Sequence, residues 1–146
     1  MEIIPKNGID KLLFGMEQKD VEALYGKPDR QFADDDKNVI AVYNAQRWRL
    51  TYYEDEDFRL GYIISSNPEL TLFAKKVIGR PVADVVNELS RQQFTTWEQE
   101  NFDLAENHFN EENWLILQAE FDSIAKIEMG AIINDKDAFE WKFGKR

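Results

Sequence analysis

Two segments of the chain place hydrophobic residues at the spacing of one face of a short α-helix. Each segment follows a glycine, Gly15 or Gly79. Gly26 and Pro28 end the first segment, because a proline cannot continue a helix, and Pro81 suits the first turn of the second. The hydrophobic faces consist of Val21, Leu24 and Tyr25 in the first segment and Val82, Val85, Val86 and Leu89 in the second.

Downstream of each predicted helix, hydrophobic and polar residues alternate, which is typical of β-strands. In the first half, Trp48–Tyr53 and residues 58–64 predict a hairpin closed by an acidic turn, and either face of the first strand could be the buried one. Residues 114–121 and 127–133 predict a second hairpin. One more strand fits between helix and hairpin in each half, at Val39–Tyr43 and at residues 94–98.

These elements recur at nearly constant spacing along the chain. Gly79 follows Gly15 by 64 positions, and Trp114 follows Trp48 by 66. Chance matches are the alternative, but the shared order of elements favours a duplication. The sequence therefore predicts an α+β fold of two tandem α-β-β-β units with helices packed on an antiparallel sheet. The repeats would span about residues 9–68 and 73–135 of a single compact domain, 1–146, and the alternating tail, 136–146, would add an edge strand.

Composition narrows the classes of function. The chain has 146 residues, no cysteine, a single histidine (His108) and a net charge of −10. Absent cysteine excludes disulfides and thiolate chemistry, and one histidine disfavours hydrolases and multi-histidine metal sites. The acidity disfavours nucleic acid and anionic membranes as partners. Without a signal segment, lipidation cysteine or membrane-length apolar run, the sequence predicts a cytoplasmic protein.

The first predicted helix carries a short motif, Gly15-Met16-x4-Val21-x4-Gly26-x-Pro28. It resembles the signature of the small outer-membrane lipoprotein family typified by BamE, and the tandem arrangement resembles the β-lactamase-inhibitory proteins. The resemblance implies a helix-on-sheet fold whose known members bind proteins, and it implies no enzyme. The second half keeps Gly79 and Val85 but lacks the methionine and the closing Gly-x-Pro. No functional residue transfers, because the matched positions build the fold.

The charge distribution is the most informative feature for function. No lysine or arginine occurs between Gln92 and Ala125, where carboxylates alternate with aromatic residues. Residues 98–113 read as a long acidic loop, and loops of this length are often functional. Its aromatic residues could anchor a partner protein while its carboxylates steer the approach. His108, in the same loop, could sense pH or be an ordinary surface residue.

Two further acidic clusters would lie on turns of the first unit, and all three could form one negative surface. The alternative is that they are solvated turns whose aromatic neighbours belong to the core. The candidate partner-binding residues are Trp97, Glu98, Glu100, Phe102, Asp103, Glu106, Phe109, Glu111 and Glu112, together with Asp34, Asp35, Asp36, Glu54, Asp55, Glu56 and Asp57.

No motif points to catalysis, a metal or a cofactor. The acidic turns lack the spacing and the glycine of a calcium loop, so a weak magnesium or calcium site is the less favoured interpretation. The seven glycines form no phosphate-binding motif. With 28 acidic residues, a carboxylate pair somewhere in the fold carries no information about glycoside hydrolysis.

The sequence thus predicts an acidic protein-binding protein that is not an enzyme. Its expected partner is a basic protein, either a toxin or a nuclease, which it would neutralise by covering the active site as an inhibitor or immunity protein. Alone it would be a monomer or a weak dimer. Two alternatives stay open: a small-molecule site lined by Trp48, Tyr52, Tyr62 or Trp114, and a scaffold that dimerises through residues 139–143.

Overall fold

The computed structural model describes residues 1–144, and its fold is mixed α+β with mostly β-strands. The helices are α1 (Gln18–Tyr25) and α2 (Val82–Ser90). The strands in chain order are β1 (Ile3–Ile4), β2 (Gly8–Ile9), β3 (Leu12–Leu13), β4 (Arg30–Ala33), β5 (Val39–Tyr43), β6 (Trp48–Tyr53), β7 (Arg59–Ser65), β8 (Thr71–Leu72), β9 (Lys75–Lys76), β10 (Glu98–Asn101), β11 (Ala105–Asn110), β12 (Leu115–Glu120) and β13 (Ser123–Gly130).

One antiparallel sheet of eight strands dominates the molecule, in the order β10-β11-β12-β13-β7-β6-β5-β4. Its two halves meet where β13 pairs with β7 and Met129 lies opposite Ile63. Val21 of α1 and Leu89 of α2 belong to the same buried core as the strands, so we call the covered side of the sheet the helix-side face. The other side, the open face, carries partly exposed residues such as Ile64.

Both helices and the two strands β5 and β6 lie where the sequence predicts them. Helix α1 ends at Gly26, whose φ of 82° is a conformation that favours glycine. Trp48, Leu50 and Tyr52 are buried in β6, which settles which face of that strand points to the core. The hydrophobic period of the sequence is therefore sufficient to locate an element where one of its faces is buried.

The predicted unit of three strands is wrong, because four strands of the eight-stranded sheet follow each helix. Strand β4 was not predicted, and the strand expected at residues 94–98 begins only at Glu98, the first residue of β10. Both strands lie at the edges of the sheet and all their residues are exposed. An exposed edge strand needs no alternation of hydrophobic residues, so the pattern that reveals a half-buried strand is missing.

The return strand β7 also differs from its prediction. Residues 58–64 were expected to place alternate side chains from Phe58 onward on one face, but Leu60 and Ile63 are the buried pair. A register shift in the β6–β7 pair inserts Gly61 between them, and the ring of Tyr53 occupies the space that a side chain at this glycine would need. Such a bulge moves all later side chains to the other face.

The C-terminal tail forms no edge strand in the part of the chain that the structure describes. A single bridge pairs Ile133 with Phe139, and the backbone N–H groups of Lys142 and Phe143 donate to the carbonyl of Phe14. Trp141 stacks on Phe139 and packs against the core. The predicted tail strand is therefore wrong over residues 136–144, and residues 145 and 146 lie outside the described range.

Candidate functional site

Two of the three predicted acidic clusters come together at one end of the sheet. Residues 34–36 lie in the β4–β5 turn and residues 54–57 in the β6–β7 turn, and Asn38 Oδ1 accepts the backbone N–H of Glu54 at 2.9 Å. Burial disfavours the charged Asp34, but hydrogen bonds from Asn38 and from the N–H of Asp36 hold the pKa of its carboxyl below the usual value. A hydrogen bond and charge repulsion from Asp55 raise the pKa of Glu54.

The third cluster does not join them, and it is not a loop. Residues 98–113 form the hairpin of β10 and β11, with Glu98 opposite Phe109, at the edge of the sheet farthest from β4. The expectation of a long acidic loop is wrong because polar residues also occur in an edge hairpin that has little to bury. Glu98 and Glu100 lie exposed on β10, and Glu111 and Glu112 lie exposed in the following turn.

Two of the aromatic residues proposed as anchors have structural partners inside the molecule. Trp97 packs against the core, and its Nε1 donates to the carbonyl of Phe94 at 2.6 Å. Phe109 lies against Trp114 in an edge-to-face contact with ring centroids 5.1 Å apart. These contacts leave neither Trp97 nor Phe109 as a free anchor for a partner.

Glu106 and His108 point toward the helix-side face, where both are largely buried. Glu106 Oε2 accepts a hydrogen bond from Gln99 Nε2 at 3.0 Å. Glu106 Oε1 lies 3.2 Å from His108 Nε2, which makes no hydrogen bond. His108 is thus a strand residue with little exposure, which differs from the surface position expected for it, and Glu106 is engaged within its own hairpin.

The remaining aromatic candidate, Phe102, belongs to an exposed apolar cluster. Phe102 and Leu104, in the β10–β11 turn, are 51% and 70% exposed, and Phe121, in the β12–β13 turn, is 86% exposed. The three side chains line one open cleft of about 250 Å³, together with Asp103 and Asp122. We call Phe102, Leu104 and Phe121 the apolar cluster. Contiguous exposed apolar groups with a polar rim mark interaction sites.

The backbone holds Phe121 in an unfavourable conformation. Glu120 pairs with Ser123, so Phe121 and Asp122 form a two-residue turn with φ values of 50° and 69°. Such turns favour Asn-Gly, and a bulky residue with positive φ is uncommon. Strained residues that persist in a fold concentrate at functional sites.

The β12–β13 turn is also fixed in place by the start of α2. The N–H of Val82 donates to the carbonyl of Asp122, and the N–H of Ile124 donates to the carbonyl of Arg80, both at 2.9 Å. Phe121 was not among the candidate residues, since residues 114–121 read as a strand. A two-residue turn between two hydrophobic runs that lacks the favoured Asn-Gly is the signal that could have identified Phe121.

The four residues of the alternative small-molecule site do not line one pocket. Trp48 and Tyr52 are buried on the helix-side face, whereas Tyr62 lies on the open face and donates a hydrogen bond to Glu128 at 2.6 Å. Trp114 is on the open face too, against Gly130. Within residues 1–144, no three His, Asp or Glu side chains are placed to hold a metal ion. None of the helices described there is long and apolar enough to cross a membrane.

Two solved structures share the fold, although no family model and no curated protein matches the chain. One is an extracellular protein containing an SCP domain from Bacillus anthracis str. Ames, with a TM-score of 0.50 and 14% identity over 78% of this chain and 42% of that one. The other is a cysteine-rich secretory protein from Staphylococcus aureus subsp. aureus Mu50, with a TM-score of 0.51 and 11% identity. That match covers 90% of this chain and 50% of the other. The chain therefore spans at most half the length of either neighbour.

These matches correct two expectations. The resemblance to BamE-like lipoproteins and β-lactamase-inhibitory proteins is wrong, since the fold matches SCP-domain and cysteine-rich secretory proteins, and the immunity-protein interpretation falls with it. The motif that suggested it, residues 15–28, describes only a turn and a helix. The predicted cytoplasmic location conflicts with neighbours described as extracellular and secretory, and we withdraw it.

Proposed function

We propose that this chain is a protein-binding domain whose contact surface is the apolar cluster and its acidic rim. The observation that carries this proposal is Phe121, an aromatic side chain 86% exposed on a backbone with positive φ. Neither burial nor local backbone preference accounts for a phenylalanine at this position. Contact with a partner would bury the ring. The gain from burial would compensate for the exposed aromatic surface and for the unfavourable backbone conformation.

The charges around the cluster specify the kind of partner. Asp103 and Asp122 border the cleft, and the sequence from Gln92 to Ala125 contains no lysine or arginine. A protein surface with an apolar patch and flanking lysines or arginines would match it, with the apolar residues contributing affinity and the charges raising the association rate. The proposed partner is therefore a basic protein.

Site-specific photocrosslinking tests this proposal. Phe121→p-benzoylphenylalanine and Leu104→p-benzoylphenylalanine variants are irradiated in the protein's native surroundings at low and high salt. A matched control carries the same group at Leu24, which is 44% exposed on α1. We expect one discrete adduct from both cluster positions, weaker at high salt and absent at the control. No adduct at position 121 or 104, or the same adducts at all three positions, would refute the proposal.

We also propose that the chain arose as a tandem repeat, with boundaries near residues 9–68 and 73–135. This is supported by the order of strands, because β4–β7 and β10–β13 each follow a helix and meet through their last members. The unit would then be one helix and four strands.

A further inference from the structure

The outer edge of the sheet at β10 has no partner within the described chain. β10 is an end strand that pairs on one side with β11, and its four residues are all exposed. An edge strand presents unpaired backbone N–H and C=O groups that can pair with another extended chain. Recognition of an extended peptide by such an edge is a common binding mode, in which side-chain contacts supply the specificity.

The two edges of the sheet differ in charge. At β4 the guanidinium groups of Arg30 and Arg49 lie over the ring of Phe32, 5.6 and 5.5 Å from its centroid. At β10 the corresponding open-face positions are Glu98 and Glu100. The β10 edge is therefore complementary to a basic strand, and it repels a second copy of itself.

β10 also leads directly into the apolar cluster. Glu98 and Glu100 alternate with Gln99 and Asn101, and the next residue in the period is Phe102, which lines the cleft. A strand laid antiparallel to β10 would place every second side chain beside Glu98, Glu100 and then Phe102. The cleft lies at this end of β10, where Glu106 and Ala119 line it from the helix-side face and Phe102 lines it beside the edge.

We propose that the β10 edge binds an extended basic peptide segment as a ninth, antiparallel strand. Its sequence pattern is an apolar residue followed at alternate positions by two lysines or arginines. The apolar side chain packs against Phe102, and the cations face Glu100 and Glu98. This inference rests on the proposed protein-binding function and specifies the partner segment.

The test uses the full chain and a fluorescein-labelled peptide, Leu-Thr-Lys-Thr-Lys-Thr, at low salt. Two further peptides carry backbone N-methyl groups at alternate residues, one in each of the two possible frames. Both keep the side chains and charges, but only one frame blocks the N–H groups that face β10. We expect fluorescence anisotropy to show binding of the parent peptide and of one frame, with the other weakened about tenfold or more.

A matched pair of protein variants separates the edge from general acidity. E98K/E100K is expected to weaken peptide binding about tenfold, because lysines then face lysines. E111K/E112K makes the same change of charge in the neighbouring turn and should have a much smaller effect. Circular dichroism checks that both variants fold, and both pairs are exposed at the surface.

Each other outcome counts against strand addition. No binding of the parent peptide, equal binding of the two N-methylated frames, or equal effects of the two double variants would overturn it. If the peptide fails while Phe121 still crosslinks to a protein, the protein-binding function stands and strand addition is wrong. If the peptide binds but no adduct forms at position 121 or 104, the edge site stands without the wider function.

Discussion

The two halves of the central sheet follow the same strand order but differ in their turns. In the first half, the side chains of Asp34 and Asn38 accept backbone hydrogen bonds that fix the β4–β5 and β6–β7 turns, and two arginines lie over the ring of Phe32. In the second half, the β12–β13 turn leaves Phe121 86% exposed on a backbone with positive φ. Phe58 in the β6–β7 turn also has positive φ, but its side chain is 39% exposed against 86% for Phe121, so the halves differ in how far the aromatic ring is exposed.

The largest expected effect tests whether the two halves contribute equally to the core. Leu50 in β6 and Leu117 in β12 are both fully buried. Leu50→Ala and Leu117→Ala should each lower the free energy of unfolding by about 3 kcal/mol, from lost apolar burial and the cavity left behind. Urea denaturation measures both. A loss several times larger in one half than in the other would show that the halves are not equivalent in stability.

The next effect concerns the strained turn of the second half. Replacing Phe121 by Asn and Asp122 by Gly supplies residues that accept positive φ, so F121N/D122G should raise the free energy of unfolding by about 1–2 kcal/mol. The same variant should lose the crosslinked partner. Thermal or chemical denaturation measures the gain, and partner capture measures the loss.

A control for this variant lies in the β8–β9 turn, where Phe73 and Ala74 have φ values of 50° and 66°. Phe73 has an intramolecular partner, since its ring meets that of Phe94 edge to face at 5.8 Å. F73N/A74G should therefore raise the free energy of unfolding only slightly. The relief of backbone strain is offset by the lost ring contact, which is worth about 0.5–1.5 kcal/mol. Equal gains in both turns would mean that Phe121 is no more exceptional than Phe73.

A smaller effect on the free energy of unfolding is expected at alkaline pH. It arises in the first half, because all five tyrosines lie there. Burial above all, with nearby Glu22 and Asp29, raises the pKa of Tyr43 to about 12. A folded-state pKa above the unfolded value near 10 means that stability is fully present below pH 10 and is lost as pH rises toward 12. The difference in unfolding free energy between wild type and Tyr43→Phe should shrink over this range. A constant difference would contradict the raised pKa.

The smallest expected effect on stability occurs at acidic pH and concerns a carboxylate in the second half. Hydrogen bonding to Arg80 outweighs desolvation and lowers the pKa of Glu88 below its ordinary 4.5. A carboxylate with a depressed pKa in the folded state stabilises the fold at pH values above its unfolded-state pKa. This stabilisation is lost as the pH falls through the folded-state pKa. Wild type should therefore lose slightly more stability than Glu88→Gln on acidification below pH 4.5. Thermal melts at a series of pH values compare the two, and parallel curves would contradict this contribution.

The candidate site shows how far the sequence could be used. The acidic stretch and Phe102 were identified from composition, because a run without cations is visible in one dimension. Phe121 was missed, since its exposure depends on the two-residue β12–β13 turn and its position near Phe102 depends on the pairing of β11 with β12. Trp97 was proposed as an anchor, and only the structure shows that its Nε1 donates a hydrogen bond to the carbonyl of Phe94.

By itself the sequence determined the two helices, strands β5 and β6 and the mixed α+β class, because each of these elements has one buried face that imposes a period on its residues. Tertiary structure alone decided the edge strands, the face of β7 after the bulge at Gly61, and the meeting of the halves at β7 and β13. Those features depend on pairing between residues far apart in the chain. Such pairing leaves no period in the sequence, because backbone hydrogen bonds across a sheet are the same for nearly every residue type.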